Sequence, residues 1–323
     1  MTPVVETRSL VKRYGDQLAV AGVDLAVGPG EIYGLVGPNG AGKTTTMRIL
    51  ATLLAPTAGE AYVTGIPVGA DPIEVRRRIG YMPDFYGVYD DLRVWEYLDF
   101  FARCYGVPAN RRATMIGELL EIVNLGAKRD EYVESLSRGM RQRLCLAHTL
   151  VHDPALLILD EPASGLDPRA RVEMREILRE LRAMGKTILV SSHILPELGE
   201  MCTGVAIIDH GRVLRSGTIA DIERSLRAGA LLRIDLIGDD ADREAAVAWL
   251  GTEPLVGDVL SIESADAGRQ RIEVAFDGPV EAQAELLRTM ISAGHRVIGY
   301  TQATSDLEEI FLKVTGQHEE EAA

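Results

Sequence analysis

The sequence predicts an α/β fold built on a parallel sheet, and three observations carry that expectation. Leu35–Thr46 reads LVGPNGAGKTTT, a glycine-rich loop between an apolar run and a helical stretch. Leu156–Leu159 is a short apolar run delivering Asp160 and Glu161, and Thr187–Val190 is another delivering Ser191, Ser192 and His193. Short apolar runs bounded by turns fit buried central strands, and open α/β sheets present ligands at the carboxyl ends of such strands.

The glycine-rich loop has its own chemistry. Gly37, Gly42, Lys43 and Thr44 satisfy the spacing G-x-x-x-x-G-K-[ST], with Pro38, Asn39, Gly40, Ala41 and Thr45 completing the segment. Gly37, Gly40 and Gly42 free the backbone to turn so that successive N–H groups converge on one anion. With Ile32–Val36 as a strand and Thr44–Leu53 as a helix, phosphates would sit on a helix N-terminus and its partial positive charge. The pattern reads as a nucleoside triphosphate site, Lys43 reaching the β- and γ-phosphates and the Thr44 hydroxyl ligating Mg²⁺.

At 323 residues the chain is long enough for about two domains. Its 46% hydrophobic and 25% charged residues are ordinary for a globular protein. No run of about 18 apolar residues occurs, and the opening MTPVVETRSL lacks the features of a signal peptide, which leads us to expect the cytoplasm. Cys104, Cys145 and Cys202 are odd in number and lie in apolar or helical surroundings, so they are expected to be reduced core residues. The net charge of −14 is uneven: residues 225–323 carry 8 Lys and Arg against 19 Asp and Glu, or −11, which leaves −3 for the first 224. Neither part has the basic footprint of a nucleic-acid binder.

Taken in order, Val4–Val11 reads as an opening strand, followed by a loop KRYGD that carries Tyr14. Tyr14 is either a rim aromatic or a stacking surface for adenine, worth roughly 1 to 3 kcal/mol. Alternation resumes at Val23, Leu25 and Val27, and Gly28-Pro29-Gly30 turns the chain into the next strand. Short strands and turns run through Ile66-Pro67, a helix starts at Asp71, and a strand at Ile79–Met82 is ended by Pro83-Asp84. From Leu92 to Leu150 apolar residues recur at helical spacing, as in Val94, Tyr97, Leu98 and Phe101, and again in Ile116, Leu119, Leu120 and Val123. Its loop, Phe85–Trp95, holds four aromatics, suited either to core packing or to a partner surface. His148 and His152 lie four apart with no third ligand, and are expected as helix C-terminal residues favoured by the dipole. Asp160 fits a Mg²⁺ ligand and Glu161 a residue that orients and polarises water. At the end of the next strand, His193 is a candidate γ-phosphate sensor.

With these pieces in order, residues 1–222 resemble the ATPase subunits of ATP-binding-cassette (ABC) transporters. The string LSRGMRQR, Leu136–Arg143, lies between the phosphate loop and LLILDEP and resembles the family's signature motif. The resemblance makes Asp160-Glu161 the Walker B pair, Ser164-Gly165-Leu166-Asp167 the D-loop, His193 the switch histidine and Tyr14 the adenine-stacking aromatic. It implies a phosphate-loop NTPase fold, with a RecA-like core, an antiparallel β subdomain and an all-helical subdomain over about residues 85–152. It also implies a mechanism in which two copies, or a copy and a related subunit, clamp two Mg²⁺-ATP head to tail. Ser137 and the Gly139 backbone, at the start of a helix expected near Met140, would then face the partner's γ-phosphate, with Lys43, Glu161 and His193 carrying hydrolysis. The loop Phe85–Trp95 would pass the motion to integral membrane permease subunits, holding the protein at the inner face of the membrane. Three positions depart from the pattern. Asp84 stands where Gln is usual and could ligate Mg²⁺, Arg138 replaces a Gly, and Met140 replaces a Gln. Arg138 is expected either to add a cation near phosphate or to point to solvent.

Residues 223–316 predict a separate α+β unit. Strands at Leu231–Ile237, Val259–Glu263, Arg271–Phe276 and His295–Thr301, with helices at Asp242–Leu250 and Val280–Ala293, give the βαββαβ order of a ferredoxin-like fold. A last helix at Asp306–Val314 and an acidic, disordered tail at 317–323 follow. DLEEIFLKVTG resembles the ending of ATPases of ABC export systems with separate membrane subunits. No catalytic constellation occurs there, so a dimerisation or regulatory module is expected. Competing readings of the whole are a soluble ABC ATPase acting on ribosomes or nucleic acid, and a low-turnover nucleotide switch. A single phosphate loop, no long heptad insertion and no basic face weigh against the first.

Overall fold

The computed structural model describes residues 2–85, 87–218, 220–222, 230–265, 269–276 and 278–303. The chain divides into two compact units, Met1–Ile219 and Ala220–Ala323.

In the first unit, β1 (Val5–Tyr14) and β2 (Gln17–Val27) form an antiparallel hairpin whose last pair is Tyr14 with Gln17. Tyr14, expected in a loop, therefore closes a strand. After β3 (Ile32–Val36) and α1 (Lys43–Leu50), β4 (Ala58–Val63) and β5 (Ile66–Pro67) complete a sheet in the order β2-β1-β4-β5. Next come α2 (Pro72–Arg78), capped by the Asp71 carboxylate on the Glu74 amide, and β6 (Ile79–Met82). The helical segment supplies α3 (Val94–Cys104), α4 (Ala109–Ile122) and α5 (Arg138–Leu150). Val94, Tyr97, Leu98, Ile116, Leu119, Leu120 and Val123 are buried, as helical periodicity requires. Helix α5 starts two residues before the expected Met140, because the Ser137 hydroxyl accepts from the Met140 amide at 3.3 Å and so caps the helix ahead of Arg138.

The chain continues through β7 (Leu156–Leu159), α6 (Pro168–Ala183), β8 (Thr187–Ser192), α7 (Leu195–Gly199), β9 (Gly204–Asp209) and β10 (Arg212–Gly217). These strands join β3 and β6 in a six-stranded sheet, order β10-β9-β3-β8-β7-β6. The pairs β6–β7, β7–β8, β3–β8 and β3–β9 are parallel, and β10 closes one edge antiparallel. Every residue of β3, β7, β8 and β9 is buried, the continuous pattern of strands covered on both faces. Register brings Val36 beside Ser192 and Leu159 beside Val190, so the carboxyl ends of β3, β7 and β8 lie together.

Two expectations need correction. Cys104 is exposed, whereas Cys145 is buried; burial pushes the Cys145 and Cys202 thiols up to about 12. His148 does lie in the last turn of α5 and His152 just beyond it, but both are packing residues whose charged form burial disfavours, against the expected dipole stabilisation. His148 stacks on Phe101 with ring centres 3.6 Å apart, and His152 on Tyr105 at 4.0 Å. Burial lowers His148 to about 4 and also lowers His152, outweighing any attraction of the helix end.

The second unit holds β11 (Ala230–Ile237), α8 (Asp240–Leu250), β12 (Val256–Ala265), β13 (Arg269–Phe276), α9 (Val280–Ser292) and β14 (Val297–Ala303). The antiparallel order β12-β13-β11-β14 is that of a ferredoxin-like sheet. Leu232, Ile234, Leu236, Ile272, Val274 and Phe276 share one face and form a core with Ala246 and Leu250 of α8 and Leu286 and Met290 of α9. Alternate residues form cross-strand ion pairs, Arg233–Glu273 at 2.7 Å and Asp235–Arg271 at 2.8 Å. Tyr86, the expected helix at Asp306–Val314 and the tail 317–323 lie outside the described residues. No helix among the described residues is long and apolar enough to cross a membrane.

Candidate functional site

The loop between β3 and α1 is shaped by close backbone approach. A Cβ on Gly37 would lie 2.1 Å from the Ile208 carbonyl oxygen, and one on Gly42 would lie 2.5 Å from that of Ala19. Gly42 also has φ +104°, where L side chains are strained. The Gly37 amide donates to the Ser192 carbonyl at 3.3 Å, which ties the loop to the end of β8.

Lys43 is buried at the first position of α1. Its ammonium donates to the carbonyls of Gly37 at 2.5 Å and Pro38 at 3.2 Å, and lies 3.4 Å from Glu161 Oε1. Thr44 donates its hydroxyl to Asp160 Oδ1 at 3.1 Å. His193 Nδ1 lies 3.0 Å from Glu161 Oε2. Thus the ends of β3, β7 and β8 bring Lys43, Thr44, Asp160, Glu161 and His193 together, although they are far apart in sequence.

Asp160 is 1% exposed. Burial holds its carboxyl above the usual range, hydrogen bonds from Ser191 and Thr44 pull the other way, and the charges of Asp84 and Glu161 add smaller upward pushes. Among the described residues no cation pairs with Asp160, so a buried carboxylate and the Thr44 hydroxyl offer hard oxygen donors to a small divalent ion. That donor set fits Mg²⁺, which is held by few protein ligands together with phosphate oxygens and water. No group of three or more His, Cys, Asp or Glu suited to a metal occurs among the described residues.

Glu161 adopts φ +50°, a left-handed conformation that costs a residue with a Cβ about 1–2 kcal/mol. Two backbone contacts hold it there. Its amide donates to the Ser191 hydroxyl at 2.9 Å, and its carbonyl accepts from the Ser164 amide at 3.0 Å. Its Oε1 is buried and, among the described residues, accepts no hydrogen bond, the Lys43 ammonium lying 3.4 Å away as an ion-pair partner.

A cleft beside this cluster is lined by Tyr14, Pro38, Asn39, Gly40, Ala41, Gly42, Lys43, Thr44, Thr45, Asp84 and Glu161. The half-exposed Tyr14 ring sits at its edge with Lys12 Nζ 5.3 Å from the ring centre. Gln17 and Ala19, in the hairpin strand opposite Tyr14, also line the cleft, and nothing in the sequence singled them out. Ser137 and Gly139 line a separate pocket with Gly165, Leu166 and Asp167, and no residue is common to the two. Asp167 caps α6 by accepting from the Ala170 amide at 2.9 Å. Arg138 is solvent-exposed, one of the two expected outcomes, and its guanidinium also donates to the Ser164 carbonyl at 3.2 Å. Two further polar residues, Ser191 and Gln142, lie within the quoted segments but carry no role in the sequence pattern. Ser191 was legible as a polar residue ending a buried strand, and Gln142 as the residue one turn along from Arg138.

Comparisons with known proteins agree with this arrangement. The profile of the family described as ABC transporter matches residues 20–164. The Nod factor export ATP-binding protein I of Cupriavidus metallidurans is 36% identical over 317 residues, covering 98% of this chain and 99% of that protein. The daunorubicin/doxorubicin resistance ATP-binding protein DrrA of Streptomyces peucetius is 39% identical over 315 residues, 98% and 93% respectively. A solved ATP-binding subunit of an ABC transporter superposes with a TM-score of 0.62 at 32% identity, covering 69% of this chain and 92% of that one.

Proposed function

Because the chain belongs to the ATP-binding subunits of ABC transporters, an ATPase family that drives transport together with membrane subunits, we propose specific roles for its residues in that activity. The observation that supports them is the position of Glu161, between Lys43 at 3.4 Å and His193 at 3.0 Å at the ends of adjacent parallel strands. The triphosphate of ATP occupies the loop Gly37–Thr45, and the Lys43 ammonium exchanges its contacts with the Gly37 and Pro38 carbonyls for the β- and γ-phosphates. Tyr14 stacks on the adenine. Thr44 and Asp160 hold Mg²⁺, with Asp84 as a further candidate ligand. Mg²⁺, when bound, neutralises charge on the phosphate oxygens. Glu161 orients the attacking water and accepts its proton, and His193 holds the Glu161 carboxylate and contacts the γ-phosphate. Water attacks the γ-phosphorus, the bond to the β-phosphate oxygen breaks, and ADP and phosphate leave.

Ser137 and Gly139 are lined up in a different pocket from Lys43, which supports a dimer in which they reach the partner's ATP. Gly165, Leu166 and Asp167 of the D-loop, Ser164–Asp167, share that pocket, and the D-loop would border the same interface. The named relatives are export and resistance proteins, which supports export as the direction. Phe85 is 91% exposed and Tyr89, four residues on, is exposed as well, suiting an apolar groove of a permease at the cytoplasmic face of the membrane. We assign residues 223–316 an accessory or regulatory role.

Light scattering of Glu161→Gln with and without ATP and Mg²⁺ tests this reading, alongside its ATPase rate. The expected outcome is a doubling of mass with ATP and a turnover reduced by about 10²- to 10⁴-fold. Wild-type turnover, or a monomer that still binds ATP, would overturn the assigned roles.

A further inference from the structure

Helix α5 presents two donors to the turn that follows Glu161. Arg138 and Gln142 are four residues apart and so share one face of the helix. Arg138 donates to the Ser164 carbonyl at 3.2 Å, and the Gln142 amide donates to the Pro162 carbonyl. Gln142 is 3% exposed, so the Pro162 carbonyl meets a donor aimed from the protein interior. Gly165 makes room for the clamp, since a Cβ there would lie 2.3 Å from the Arg138 guanidinium.

We propose that Arg138 and Gln142 are positioning residues for Glu161, clamping residues 162–164 to α5 so that the carboxylate stays between Lys43 and His193. The physical argument starts from the left-handed backbone at Glu161, which persists only while its surroundings hold it. Ser191 fixes the amide side of that residue, and the Ser164 amide fixes its carbonyl. Relaxing φ at Glu161 would swing the following peptide groups, and the carbonyls of Pro162 and Ser164 are the groups that α5 holds. Ser137 and Gly139 stand at the N-terminus of the same helix. A shift of that end is therefore passed through two hydrogen bonds to Glu161, linking the helix start to the geometry of hydrolysis. The role assigned to Glu161 rests on the proposed function, whereas the clamp itself does not.

Hydrogen exchange followed by mass spectrometry on the full chain without nucleotide, combined with steady-state kinetics, tests the clamp. In Arg138→Ala the amides of residues 163–166 should exchange about fivefold faster, the factor carried by one hydrogen bond of ordinary net strength. Residues 37–46 should be unchanged. The same variant should lose roughly tenfold or more in kcat with ATP affinity unaltered, because a misplaced reacting group costs rate without costing binding. Arg138→Lys, which keeps a donor, should recover part of both effects. Gln142→Met, which keeps volume and loses the donor, should act like Arg138→Ala. Wild-type exchange at 163–166, wild-type kcat despite faster exchange, or a parallel loss of kcat and ATP affinity would each overturn the proposal. Should Glu161→Gln retain turnover, the functional reading falls, and faster exchange at 163–166 still separates that failure from failure of the clamp.

Discussion

The Ser191 hydroxyl donates to Asp160 Oδ1 at 2.8 Å and, at the same time, accepts from the amide of the next residue, Glu161, at 2.9 Å. One buried side chain on β8 thus fixes both acidic residues at the end of β7.

Ser191→Ala should destabilise the chain by about 1–3 kcal/mol, since a buried amide loses its acceptor and a buried carboxylate loses a donor. Denaturant unfolding measures this, and a change below about 0.5 kcal/mol would place the substitution with ordinary surface changes. ATPase activity should fall as well, because Glu161 is no longer held on its amide side.

Gly42→Ala and Gly40→Ala separate steric from conformational cost. Both positions have positive φ, +104° and +86°, but only at Gly42 does a Cβ meet a neighbour, the Ala19 carbonyl oxygen at 2.5 Å. Gly40→Ala should cost the left-handed conformation alone, about 1–2 kcal/mol. Gly42→Ala should cost more than this and weaken ATP binding at least about tenfold, because the loop must shift away from β2. Equal effects in a nucleotide-binding titration would remove the steric argument.

Asp160→Asn and Thr44→Val should raise the Mg²⁺ concentration needed for half-maximal turnover by about tenfold or more, the factor that one charge-assisted contact carries. Chelation of divalent ions should stop turnover in the unmodified chain. Because burial raises the Asp160 pKa, its ionised form is disfavoured in the folded state, and that cost is felt as pH rises above the unfolded carboxylate value. Asp160→Asn should accordingly stabilise the nucleotide-free chain at neutral pH while impairing activity. Lower thermal stability of Asp160→Asn would show that the two hydroxyl donors outweigh the burial.

His148 should make the chain acid-sensitive. Its pKa falls from the ordinary 6.5 to about 4 in the folded state, chiefly through burial. At pH above 6.5 the ring is neutral folded or unfolded. As pH drops, the unfolded chain binds a proton that the folded chain refuses until about pH 4, so stability is lost across that window and levels off below it. The loss is at most about 3 kcal/mol from this residue. His148→Phe retains a ring against Phe101 and should flatten the melting temperature between these pH limits; identical profiles for the two chains would assign the acid sensitivity elsewhere.

Much of the site was legible because its chemistry is local. The loop Gly37–Thr45 needs glycine at particular places and Lys-Thr at its end, and Asp160-Glu161 follows an apolar run too short for anything but a central strand. The cap at Ser137 was less legible, since a serine beside Arg-Gly gives no sign of which amide it accepts from. The string KRYGD carries a turn signal that places Tyr14 in a loop, whereas pairing with β2 extends the strand through it. The state of His148 and His152 depended on Phe101 of α3 and Tyr105, just beyond its end, stacking on them.

By itself the sequence determined the order of elements, the phosphate-binding spacing and the ferredoxin-like pattern of the second unit, because hydrophobic period and turn chemistry act over a few residues. Tertiary structure decided that Ser191 serves two neighbouring carboxylate residues, that Arg138 and Gln142 reach the turn after Glu161, and that two histidines are packed as neutral rings. Those outcomes depend on which strand ends lie level and which helix face meets which carbonyl. Such relations are set by sheet register and helix packing, and no short stretch of sequence contains them.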